Sequence, residues 1–144
     1  MKSWSLLLLA GLSLSLALVA CAKSGPSIEI TGKTFSVELA ETPEQQEKGL
    51  MFRDSMPEDH GMLFIFPDSA LRGFWMKNCK FPQDMLFFDA DMRLISVQKR
   101  VPACVGDPCP SYSSGAPAKY VLELNAGQAD KLGVQSGDVL KLNR

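Results

Sequence analysis

Apolar and polar positions along the chain alternate in short runs, and the places where the pattern switches mark the elements. Ile28-Glu29-Ile30 and residues 34–39 alternate with period two, with Thr31-Gly32-Lys33 as a turn between them, so the pair predicts a β-hairpin. Thr42-Pro43-Glu44-Gln45 is a helix start: Thr42 offers an N-cap hydroxyl, Pro43 suits the first helical position, and Gln45 stands at the capping-box position. That helix ends near Gly49. Residues 61–66 are apolar at both parities, as in a strand covered on both faces. Residues 72–79 and 84–89 read as two more strands, separated by Lys80-Phe81-Pro82-Gln83. Ala90-Asp91 turns the chain into residues 93–101, where Ile95 and Val97 alternate with Ser96 and Gln98.

Residues 102–119 are dense in Pro, Gly, Ser and Cys and read as a long loop, of a length that in compact domains is usually either functional or disordered. Strand returns at 120–124, a short helix follows at 126–132, and 139–142 closes the chain after the Ser136-Gly137-Asp138 turn. About six or seven short strands and two small helices predict an α+β fold: a mostly antiparallel β-barrel or rolled sheet with two short helices.

The first 20 residues do not fit this domain. Lys2 gives a positive n-region, and residues 6–20 form an uncharged run of Leu, Ala, Ser, Gly and Val. That run is shorter than the roughly 20 apolar residues of a transmembrane helix and matches a signal-peptide core. Leu18-Val19-Ala20-Cys21 resembles the lipobox of bacterial lipoproteins, in which the Cys thiol is diacylated and the preceding bond is cut. Residues 1–20 are therefore expected to be a lipoprotein signal peptide, with Cys21 the lipidation site and membrane contact. Each buried lipid methylene contributes about 0.8 kcal/mol, so several chains hold a small domain firmly. Ala22 rather than Asp after the Cys favours the outer membrane, by resemblance to lipoprotein sorting. Residues 21–27 read as a short tether and 28–144 as one domain on the periplasmic side of the cell envelope.

Charge narrows the choice of partners. Lys+Arg number 15 against Asp+Glu 16, and this balance argues against nucleic acid, whose binders carry a basic excess on one face. At 46% apolar residues, the chain can bury a core without disulfides.

Several blocks carry a family resemblance: Gly49-Leu50-Met51-Phe52-Arg53, Gly61-Met62-Leu63-Phe64-Ile65-Phe66, Phe74-Trp75-Met76-Lys77-Asn78, Asp84-Met85-Leu86-Phe87-Phe88-Asp89 and Val121-Leu122-Glu123-Leu124-Asn125-Ala126-Gly127. In this order they resemble the bacterial and archaeal domain of unknown function 192 family, across nearly all of the mature chain. The resemblance implies a single small β-rich domain, often exported, and no established activity. Cys79 departs from the Thr that usually follows the Asn in this family.

Cys79, Cys104 and Cys109 remain besides Cys21. An oxidising compartment favours pairing, and Cys104-Val105-Gly106-Asp107-Pro108-Cys109 brings two thiols close through a turn, so Cys104–Cys109 is the expected disulfide. Closing so short a ring is worth about 2 kcal/mol, which shapes a loop more than it holds a fold. Cys79 is then a free, buried thiol. The alternative is a Cys₃His zinc site of Cys79, Cys104, Cys109 and His60; the spacing of the last Cys pair is tolerable for zinc, but the compartment is wrong and no second close pair exists, so no metal or other cofactor is expected. His60 lies in a polar run and reads as a surface histidine, since no G-x-S-x-G elbow accompanies it. Met51, Met62, Met76 and Met85 sit among Phe and Leu and read as core packing rather than a copper site.

Arg53, Lys77, Asp84 and Glu123 are charged residues within or beside strongly apolar stretches. Period two over 73–79 sets Trp75 and Lys77 on one face and Phe74, Met76 and Asn78 on the other. Arg53, Trp75, Lys77, Asn78, Asp84 and Glu123 are candidates for one polar ligand-binding cleft, with the 104–109 loop as a wall. Such a cleft suits a carbohydrate, a peptide end or a small anion, Arg53 serving as fork donor and Trp75 as stacking platform. A purely structural arrangement has Arg53 pairing with Asp84 or Glu123 instead. The leading functional expectation is a lipid-anchored envelope module that binds a small polar ligand or an envelope protein. The alternatives are a small hydrolase or transferase using Asp84 or Glu123 as general base, and a structural docking module with an exposed apolar patch around Phe81 and Pro82. No residue is assigned as catalytic.

Overall fold

The computed structural model describes residues 25–144. The expected signal peptide, the lipidation at Cys21 and the first part of the tether lie outside the described residues. Ser27, expected to end the tether, is already in strand.

The chain order is β1 (Ser27–Ile30), β2 (Lys33–Ala40), α1 (Pro43–Lys48), β3 (His60–Trp75), β4 (Gln83–Phe88), β5 (Leu94–Val101), β6 (Ser111–Asn125), α2 (Gln128–Leu132) and β7 (Lys141–Asn143). The seven strands form one sheet in the order β5-β4-β6-β3-β2-β1-β7. It curls into a half-barrel with two short helices, as the α+β rolled-sheet expectation had it. All pairings are antiparallel except β2 with β3, which the crossover through α1 makes parallel.

The hairpin and the first helix follow their local chemistry. β1 and β2 pair around Thr31-Gly32, and Thr42 and Gln45 form a reciprocal capping box with Pro43 at the helix start. α1 buries none of its residues, so packing alone does not hold it. Gln46 ties it to the sheet by donating to the carbonyls of Ala40 (3.3 Å) and Ile65 (2.8 Å).

Two expectations are corrected. Residues 61–66 and 72–79 are not separate strands, because β3 runs unbroken to Trp75 and then stops. The 102–119 loop is also shorter than expected, since residues from Ser111 onward belong to β6 and pair with Ala70–Trp75. Pro67, Ser114 and Gly115 read as breakers, but they lie where the ladder shifts register, between Ile65 and Ala70 and between Leu71 and Gly73. There a missing ladder bond costs least. Ser114 repairs one gap: its hydroxyl accepts from the Arg72 N–H at 3.0 Å and donates to the Ala116 carbonyl at 2.7 Å.

The central strands are buried on both faces. Ile28, Phe35, Leu63, Leu86, Phe88, Leu122 and Leu124 pack on one side with α2 and Leu140. On the other, Met62, Phe64, Met85, Phe87 and Val121 pack under the segments that follow α1 and β3, which contribute Leu50, Met56, Met76, Cys79 and Phe81. The four methionines named above belong to or pack against this second core. Phe81 is buried in it too, which removes the apolar docking patch expected around Phe81 and Pro82. Gly61 is required by close packing, since a Cβ there would lie 2.8 Å from the Glu123 carbonyl.

Candidate functional site

Glu123 lies on β6 near the middle of the sheet, opposite Met62 of β3 and Met85 of β4. Strand parity aims it, with Val121, into the second core. It is 4% exposed, and burial alone pushes its carboxyl from an ordinary 4.5 up to about 8, with no charge or hydrogen bond offsetting that cost. A Leu or Met here would continue the core without penalty, so the acid weakens the fold at this position.

Above Glu123 is a cavity of about 30 Å³, lined by residues of three segments. The end of α1 and its continuation supply Lys48, Gly49, Leu50 and Met51; β3 supplies Phe64, Phe74 and Trp75; the following turn supplies Lys77 and Cys79. This volume admits a single group of about the size of a water molecule. Gly49 makes room for the wall, since its φ of +44° disfavours a side chain and a Cβ there would lie 3.2 Å from the Phe64 ring. Phe64 and Phe74 meet edge to face, centroids 5.0 Å apart at 87°.

Trp75 and Lys77 stand at the mouth. Trp75 is 47% exposed although it is large and aromatic, and the Lys77 ammonium lies 5.2 Å from its ring centroid. Beyond Trp75 the period-two pattern ends in a turn: the Cys79 N–H bonds the Met76 carbonyl, and Asn78 is left-handed at φ +57°. Phe52 is left-handed as well, at φ +67°, and donates its N–H to the Asn78 carbonyl at 2.8 Å. Two strained residues thus pin the two covering turns together over the cavity.

The predicted disulfide joins Cys104 and Cys109. Cys104 forms β-bridges with Lys77 and Cys79, and Asp107 of the same loop pairs with Lys77 at 3.4 Å. The disulfide loop therefore backs the turn that carries Lys77 and Cys79, just behind the cavity lining. Cys79 is free and buried, as expected. Burial, then the nearby Glu123 charge, pushes its thiol up to about 11. The Gln83 amide lies beside that thiol, yet its Nε2 and Oε1 are buried without a hydrogen-bond partner of good geometry. Glu123 in the cavity and Gln83 beside Cys79 are thus both under-satisfied.

Of the sequence candidates, the structure brings together Trp75, Lys77 and Glu123. Asp84 faces the opposite core, where its two oxygens accept from the Arg100 N–H (2.7 Å) and the Ala129 N–H (2.8 Å). It fastens β5 and α2 to β4 and has no access to the cavity. Asn78 sits behind the wall, its amide 3.9 Å from the Met51 sulfur. Arg53 lines an adjoining depression of about 190 Å³ with Glu38, Lys48, Gly49 and Met62.

Arg53 pairs neither with Asp84 nor with Glu123. It forms a two-pronged bridge to Glu38, at 2.5 and 2.8 Å. His60 joins the same carboxylate through Nε2 at 3.2 Å, and its Nδ1 meets the Ser36 hydroxyl at 2.7 Å. Glu38 is held down at about 2, chiefly by the Arg53 hydrogen bonds and then by His60. His60 is thus a half-buried member of a network rather than a simple surface residue. Serine, histidine and carboxylate in line resemble a nucleophile and its base, but the Ser36 and Val37 N–H groups are spent on Asp59 and Pro26 carbonyls. Neither of these two amides is free to stabilise an oxyanion beside the Ser36 hydroxyl. With Cys104 and Cys109 joined to each other and His60 engaged by Glu38, the Cys₃His zinc arrangement is excluded.

Sequence reasoning missed Glu38, Ser36, Phe64 and Gln83 as neighbours of these sites. Glu38 looked like an ordinary outward residue of a hairpin strand, and the parallel β2–β3 pairing that sets it beside His60 leaves no local signature.

The fold and these blocks place the chain in a family of small β-rich domains. It belongs to the domain of unknown function 192 (DUF192) family, described as uncharacterized ACR, whose model matches residues 27–142. Two solved structures are similar to it. One, a protein of unknown function from Novosphingobium aromaticivorans DSM 12444, is 31% identical with a TM-score of 0.73, over 80% of this chain and 83% of that one. The other, from Sinorhizobium meliloti 1021, is described as a candidate transcription regulator; it is 38% identical with a TM-score of 0.74, over 81% of this chain and 93% of that one. No curated protein matches the chain.

Proposed function

We propose that this chain is a lipid-anchored binding module of the cell envelope, exported by its signal peptide, fixed to the membrane through Cys21 and facing the periplasm from the outer membrane. Its ligand-binding cleft is the Glu123 cavity with Trp75 and Lys77 at the mouth. One observation carries this reading: a carboxyl buried without a partner lies under a small cavity in a core where an apolar residue would be more stable. Sites that destabilise their own fold in this way are characteristic of function. The exposed Trp75 beside it offers a ligand a flat apolar contact.

The hydrolase or transferase alternative draws on the same raised carboxyl, but only through Glu123, since both oxygens of Asp84 are taken. A general base needs a positioned substrate and a second group to stabilise developing charge, and a cavity of one water-sized group supplies neither. The transcription-regulator description of the Sinorhizobium protein is not extended to this chain, whose 15 basic and 16 acidic residues form no basic excess.

Native mass spectrometry of the protein extracted from membranes, before and after denaturation, tests the proposal. The expected result is a non-covalent species carried by the wild type and lost from Glu123→Gln and Trp75→Leu. A bare mass matching the bare sequence of each of the three, after extraction from cells and after incubation with envelope extract, would overturn it.

A further inference from the structure

We infer that the group entering the Glu123 cavity is a primary ammonium on a slender alkyl stem. The inference rests on the binding reading above and adds the chemistry of the ligand. Three features of the site point the same way.

The first is size. A cavity of about 30 Å³ fits one ammonium, hydroxyl or methyl group better than a guanidinium, a phosphate or a sugar ring. The second is the wall. Phe64, Phe74 and Trp75 line the cavity, and aromatic rings attract a cation through their negative faces; Trp75 already holds the Lys77 ammonium at 5.2 Å. The third is the floor. Glu123 has no partner, and an arriving cation supplies the opposite charge that a buried carboxylate requires. An alcohol would leave the acid neutral and contribute one ordinary hydrogen bond; a methyl group would leave it unsatisfied.

The charges at the mouth do not oppose this. Lys48 is accompanied in the lining by Glu47, and Lys77 is paired with Asp107 at 3.4 Å. Among the described residues Glu123 has no ion pair or hydrogen bond of its own, and that is the place the arriving ammonium takes. The aromatic walls also explain why the carboxyl is placed so deep: in a low-dielectric cavity a charge pair is stronger than at the surface.

A primary ammonium occurs both on soluble amines and on ethanolamine phospholipid headgroups, and the two sources are separable. The test follows the indole N–H resonance of Trp75 in the full chain, solubilised in zwitterionic micelles and titrated with propylammonium chloride at constant ionic strength. Propanol and trimethylpropylammonium serve as controls, and ethanolamine-headgroup vesicles are compared with choline-headgroup vesicles. The expected result is saturable binding of propylammonium in the millimolar range, as a ligand of so few atoms allows, with at least about tenfold weaker binding of both controls. Glu123→Gln, which is isosteric, should lose the response while staying folded, with a melting temperature at neutral pH no lower than that of the wild type, and Trp75→Leu should weaken it several-fold. A response to ethanolamine vesicles alone, lost in Glu123→Gln, supports the same chemistry with a lipid as its source. Propanol binding as well as propylammonium overturns the ammonium inference and leaves the binding module standing. A silent Trp75 with every probe also overturns the inference, while the mass-spectrometric result decides the binding reading separately.

Discussion

Glu123 and Arg53 are both charged residues in apolar surroundings, yet their energetics differ in kind. The Glu123 carboxyl is raised from 4.5 to about 8, so the folded state retains a proton that the unfolded chain has released. Its stabilising contribution is complete below the unfolded value and is lost as pH rises through the folded one. Between about pH 4.5 and 8 the unfolding free energy should therefore fall by up to about 1.4 kcal/mol per pH unit from this group. Glu123→Gln should remove most of that slope in urea titrations across the range; an unchanged slope would show that another group carries it. Arg53 is different because its partner is accessible: the Glu38 side chain is 43% exposed. Arg53→Met should cost only about 1 kcal/mol by chemical denaturation, since water can solvate the carboxylate left behind. A loss of several kcal/mol would mean that the bridge is effectively buried.

At the scale of elements, the site depends on two turns laid over one face of the sheet and pinned by the Phe52–Asn78 hydrogen bond. The disulfide loop supports the second turn through the Cys104 bridges and the Asp107–Lys77 pair. Replacing Cys104 and Cys109 together with Ser should cost at most about 2 kcal/mol, the worth of a short ring. It should also speed hydrogen exchange at residues 77–79 while leaving β4 and β6 protected; uniform acceleration would show that the disulfide holds the whole fold instead. The legibility of these elements followed the range of the interactions that make them. The β1–β2 hairpin, the Thr42–Gln45 cap and the Cys104–Cys109 bridge are local and could be read from neighbouring residues. The long β3–β6 ribbon could not, because Pro67, Ser114 and Gly115 are turn formers that here occupy register shifts. The candidate site was legible in part for the same reason. Trp75, Lys77 and Glu123 were recognisable as polar or amphipathic residues in apolar runs, whereas the opposite facing of Asp84 depends on strand parity about an endpoint the sequence left uncertain. The Arg53–Glu38 pair depends on a crossover between β2 and the turn after α1.

For the whole molecule, the family match runs from 27 to 142 over a two-sided core, and the proposed anchor lies ahead of it. Cys21→Ser should move the protein from the membrane to the soluble fraction of the envelope with its melting temperature unchanged. Retention in the membrane fraction would contradict anchoring through a lipid on that thiol. The domain itself keeps an acid in its central strand, beneath a cavity just large enough for one small group, and the functional account depends on that acid being buried and unpaired. Its most direct test is a carboxyl ¹³C titration of Glu123 in the ligand-free protein. The account predicts a midpoint near 8, where burial alone places it. A midpoint near the ordinary 4.5 would mean that the carboxyl is solvated or already paired, and the cleft would lose the feature that identifies it as a binding site.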